Sequence, residues 1–71
     1  MPDLKLLESA ISDSGMTMVA IAEKSGILRE TLYNKMRGTS EFKASEIVRL
    51  TRALKLTSEQ RDAIFFAENV E

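Results

Sequence analysis

The stretch TMVAIAEKSGILRETLYNKMRG, residues 17–38, decides how this chain is read. It holds two short apolar-periodic segments, joined at Gly26 and closed by Gly38. In the first, Met18, Ile21 and Ala22 follow the i, i+3, i+4 spacing of a helix, and Thr17 is placed to cap it. Gly26 stops that helix, because glycine adopts at little cost the left-handed conformation that reverses the chain. The second segment, about Leu28–Arg37, has Leu28, Leu32 and Met36 spaced by four. At about 100° per residue that stripe leaves Glu30, Tyr33, Asn34 and Arg37 on the opposite side, with Arg29, Thr31 and Lys35 on its flanks. The first of the two is only about two turns long, so packing rather than intrinsic propensity must hold it. Ala22 leaves room for a close crossing, and Ile21, Ile27 and Leu32 can lock the pair at a steep angle. The result is a helix, a tight turn and a second helix whose outer face is polar.

The flanking sequence extends the same pattern. Asp3 can cap a first helix running to about Ser14, with Leu4, Leu7 and Ile11 on one face and Gly15 ending it. After Gly38 the loop GTSEFK has a single apolar residue, Phe42, suited to pinning it to the core. A fourth helix, about Ala44–Leu54, would bury Ile47, Leu50 and Leu54, with Val48 at the stripe's edge. Glu46 can cap it, although Lys43 at the cap position has no acceptor to offer. Thr57 and Gln60 fit a capping box for a last helix of about Ser58–Ala67. No window alternates as a strand does, and no repeat, linker or low-complexity tract interrupts the chain. An all-α bundle of about five short helices, forming one domain over 1–71, is expected.

Length and composition narrow the function. With 71 residues the chain is near the lower limit for a self-sufficient core, and 44% apolar with 30% charged residues is ordinary for a globular protein. There is no cysteine and no histidine, which removes disulfides, thiolate metal sites and the commonest acid–base catalyst. No nucleophile–base pair, metal constellation or phosphate loop is visible, so neither an enzyme nor a cofactor is expected. No segment approaches the roughly 18 apolar residues of a membrane span, and MPDLKLLES lacks the apolar run of a signal peptide. A cytoplasmic protein is expected. The net charge is −1, but it is unevenly spread. Residues 24–55 carry eight cations against three carboxylates, a net +5, while residues 1–23 and 56–71 each carry −3. A basic centre of this kind suits an anionic partner.

At residues 17–38 the chain resembles the helix-turn-helix of phage repressor, Cro and Xre-type regulators. Thr17, Ile21, Ala22, Gly26, Ile27, Leu32 and Gly38 match that family's pattern, and SEFKASEIVRLTRALKLT is similar to its fourth helix. The likeness covers about residues 4–57, and the short chain is similar in length to Cro-like proteins of phages and mobile elements. It departs from the pattern at Met18, where the family often has Gln, and at Leu28, where Ser or Thr usually caps the second helix.

The resemblance implies a lambda-repressor-like fold and a homodimeric transcription regulator, a repressor that binds double-stranded DNA without a small-molecule ligand. It implies that Arg29, Glu30, Tyr33 and Asn34 read bases, and that Thr17, Thr31, Lys35, Arg37, Thr39, Ser40 and Lys43 touch the phosphate backbone. The chemistry agrees: Arg can bond guanine bidentately, Asn can do so with adenine, Glu can accept from cytosine and Tyr can meet the thymine methyl. Adjacent helical residues point about 100° apart, so Phe65 and Phe66 cannot easily share one small core. One of them, with Ile64 or Val70, is expected to face a partner subunit. A second reading stays open: a helical protein-interaction or antitoxin-like module that kept the fold without DNA reading.

Overall fold

Local chemistry sets where each helix starts and stops. The computed structural model describes residues 1–67, and among them there are five helices and no strand. They are α1 (Leu4–Ser14), α2 (Met18–Ser25), α3 (Arg29–Met36), α4 (Ala44–Leu54) and α5 (Ser58–Phe65). Asp3 Oδ1 accepts the Leu6 N–H at 3.0 Å, and Thr17 Oγ1 accepts the Ala20 N–H at 3.1 Å, each satisfying a donor that the first helical turn leaves unpaired. Thr57 and Gln60 form the full reciprocal box, at 3.1 and 2.8 Å. At α4 only the returning half forms: Glu46 Oε1 accepts the Lys43 N–H at 2.7 Å, because an ammonium has no lone pair to give back.

The turn between α2 and α3 combines backbone freedom with one hydroxyl. Gly26 has φ of +72°, a value that L side chains rarely adopt. Beside it the buried Ser25 Oγ donates to Ala22 O and accepts the Ile27 N–H, both at 3.3 Å. That hydroxyl delivers Ile27 into the core two residues after the helix ends.

The centre is formed by Leu7, Ile21, Leu32 and Leu50, all fully buried, with Ile11, Ile47, Leu54 and Ile64 around them. α2 lies chiefly along α4, while α1 touches α3, α4 and α5. The Asp3 N–H donates to Ile64 O at 2.6 Å, tying the start of α1 to the end of α5. Phe42 anchors its loop as expected, meeting Phe65 edge-on with ring centroids 5.3 Å apart. A Cα radius of gyration of 11.2 Å matches the roughly 11 Å of a close-packed chain this long.

Two expectations are revised at the ends of α3 and α5. Leu28 does not join the buried stripe of Leu32 and Met36. Its φ and ψ of −58° and 137° put it outside the helix as the cap residue, so helical spacing does not govern it, and it is 77% exposed. Ile27 is buried in its place. α5 stops at Phe65, and of the residues expected at a subunit contact, Ile64 and Phe65 lie inside the core while Phe66 stands out, 57% exposed. Val70 lies outside the described residues. Phe65→Ala is expected to cost about 3–5 kcal/mol in urea unfolding, through the lost Phe42 contact and the cavity left behind. Phe66→Ala should stay within about 0.5 kcal/mol of the parent chain at low concentration.

Candidate functional site

The outer face of α3 is the one helical surface that gathers the polar residues singled out above. Leu28, Arg29, Glu30, Tyr33 and Arg37 line one shallow, open concavity. All five are exposed, with no other element lying over them. Among the described residues none of these side chains is in an ion pair. The bond recorded at this face is local: an Arg37 guanidinium N–H donates to Asn34 Oδ1. The Asn34 carboxamide is thus held against α3 by its neighbour three residues on, and its NH₂ is the part left to meet a partner.

The opposite side of α3 holds a charge inside the protein. Lys35, expected on the flank as a phosphate contact, is only 6% exposed. Its ammonium donates to Glu46 Oε1 at 2.6 Å and to Glu41 O at 2.9 Å. This corrects the reading of Lys35: the long apolar stem runs into the core, and the charged head meets a buried carboxylate on α4 rather than solvent. Burial raises the Glu46 pKa, but the hydrogen bonds from Lys35 and the Lys43 N–H, with the two positive charges nearby, outweigh it. The net effect holds the Glu46 carboxyl below the ordinary glutamate range.

The other expected phosphate contacts divide by their donors. Thr39 gives both its hydroxyl proton and its N–H to Asn34 O, at 2.7 and 3.2 Å, which leaves it no donor for an anion. Thr17 Oγ1 accepts from Ala20, so its own proton stays available. Ser40, Lys43 and Arg37 are exposed, and Thr31 is half-buried. Arg49 and Arg52 on α4 and Lys55 just after it are exposed, with the Arg49 guanidinium bonded to Ser45 and lying over Gly26.

A second concavity lies between α1 and α5. Leu6, Ala10, Ala63 and Ile64 give it an apolar floor, and Asp13 and Glu59 are the charged groups at its edge. Among the described residues no three His, Cys, Asp or Glu side chains gather as a metal site, and no helix is long and apolar enough to cross a membrane.

Sequence reasoning missed the Lys35–Glu46 pair, although a signal existed. Lys35 sits one position before Met36 and three after Leu32, at the edge of the apolar stripe, and Glu46 sits one position before Ile47. Comparison of the chain with protein-family models, curated proteins and solved structures finds no match.

Glu46→Gln keeps an oxygen for the Lys43 N–H but leaves the Lys35 ammonium buried without a counter-charge. It should cost about 3 kcal/mol near neutral pH, and Lys35→Met added to it should restore most of that loss, since no buried charge remains. The lowered folded pKa of Glu46 means that its contribution is complete above the ordinary glutamate pKa and is lost as pH falls through the folded value. Urea midpoints followed from neutral pH into acid should therefore fall more for the parent chain than for Glu46→Gln.

Proposed function

We propose that this chain is a sequence-specific DNA-binding regulator of the repressor, Cro and Xre type, in which α2 and α3 form the helix-turn-helix and α3 enters the major groove. The observation that carries this reading is the uncovered face of α3, where Arg29, Glu30 and Tyr33 share one open concavity with Leu28 and Arg37. The N-terminal residues of a recognition helix are those that meet base edges. Arg29 is matched to guanine O6 and N7, Glu30 to a cytosine amino group and the Asn34 NH₂ to a base or phosphate acceptor. Thr17, Thr31, Arg37, Ser40 and Lys43 remain as phosphate contacts, with the net +5 of residues 24–55 drawing the duplex in. One helix reads few base pairs, so the active form is a homodimer on a palindrome whose half-sites lie about one helical turn apart.

The second reading, a protein-interaction module, draws on the apolar groove between α1 and α5 and on its acidic edge. Selection from a random duplex library at near-physiological salt separates the two. A DNA reader enriches a palindrome, and its affinity falls steeply with salt because phosphate contacts release counterions. Arg29→Ala should weaken binding by about 1–3 kcal/mol and relax the preference at one position of each half-site. An interaction module enriches nothing, and its weak binding to DNA does not depend on Arg29.

A further inference from the structure

We infer that Leu28 is a specificity determinant, reading the 5-methyl group of thymine at the edge of each half-site. The inference rests on the proposed entry of α3 into the major groove. Leu28 occupies the cap position of α3 without any side-chain cap bond. Ser, Thr, Asp or Asn there would satisfy a free N–H of the first turn and add about 1 kcal/mol to stability. The side chain found is apolar and 77% exposed, so it forgoes the cap and takes almost no part in the core. Two local disadvantages at one residue, next to Arg29 and Glu30 in the same concavity, are accounted for by contact with whatever covers α3.

In the major groove the thymine methyl is the apolar group presented by the base pairs, and an aliphatic side chain is its natural complement. Leu28 lies at the leading end of α3, the end that goes deepest in this docking mode. Arg29 beside it can take guanine, so the combined preference is a thymine and a guanine close together in each half-site.

The test uses the duplex selected by the full chain. Each thymine is replaced in turn by deoxyuridine, which removes the methyl and keeps every hydrogen-bonding group. Affinity should fall about fourfold at one position of each half-site, the effect of leaving one methyl unburied. Leu28→Ser should raise the thermal midpoint by restoring the cap, keep the dimer and bind equally the duplexes with thymine or deoxyuridine at that position. Indifference of the parent chain to every replacement would overturn the inference while leaving DNA reading intact. So would an unchanged methyl preference in Leu28→Ser, or its dissociation into monomers, which would make Leu28 a subunit contact. A chain that selects no duplex at all would remove the proposed function and this inference together.

Discussion

The buried pair of Lys35 and Glu46 is the constraint on which the rest of this molecule depends. Two ions taken out of water are favourable together only if each is fully paired, and here the ammonium meets a carboxylate oxygen at 2.6 Å and a carbonyl at 2.9 Å. The pair fixes more than distance. Tyr33 and Arg37 lie two residues to either side of Lys35, so at about 100° per residue both point about 160° away from it. Holding Lys35 inside therefore holds Tyr33 and Arg37 outside. The same Glu46 oxygen caps α4 through the Lys43 N–H, so one carboxylate sets the rotation of α3 and the start of α4. An eight-residue helix with no side-chain cap has little stability of its own, and its orientation must come from such contacts.

Internal pairing also shapes the field around the protein. It withdraws one cation and one carboxylate from the basic centre, leaving seven exposed cations and two exposed carboxylates between residues 24 and 55. The surface charge of that segment stays at +5 after the buried pair is removed. α1 and α5 pack together with carboxylates in excess, including Asp13 and Glu59 beside their shared groove. A chain of net charge −1 thus combines a basic middle segment with acidic α1 and α5, which would favour an oriented approach to a polyanion over indiscriminate adhesion.

What was legible in the sequence was local. Asp3, Thr17, Thr57 with Gln60, and the glycines at 15 and 26 mark helix ends through bonds and dihedrals that span at most four residues, and each acts where it was expected. Phe42 was legible because an apolar residue alone in a polar loop has one good use. Features that depend on three-dimensional neighbours were not legible. Lys35 looked like a flank cation because its partner lies eleven residues away on another helix. Leu28 fitted a spacing of four, but it stands at the cap position that the resemblance gave it, outside the helix, where spacing has no force. For Phe65 and Phe66 the sequence required that they diverge, and the three-dimensional packing makes Phe65 the buried one, edge-on to Phe42. Within the candidate site, residue types were readable and donors were not: Thr39 gives both its donors to Asn34 O, and Arg37 donates to Asn34 Oδ1.

The central claim is that the face of α3 turned out by Lys35 is the surface that meets DNA. Titration of the ¹⁵N-labelled chain with duplex DNA at low salt, followed by amide chemical shifts, tests it most directly. The account predicts that the largest shifts fall on residues 28–37 and around Thr17, Ser40 and Lys43, and that they diminish as salt is raised. Shifts gathered instead along the groove between α1 and α5, or no saturable shift even at low salt, would contradict it.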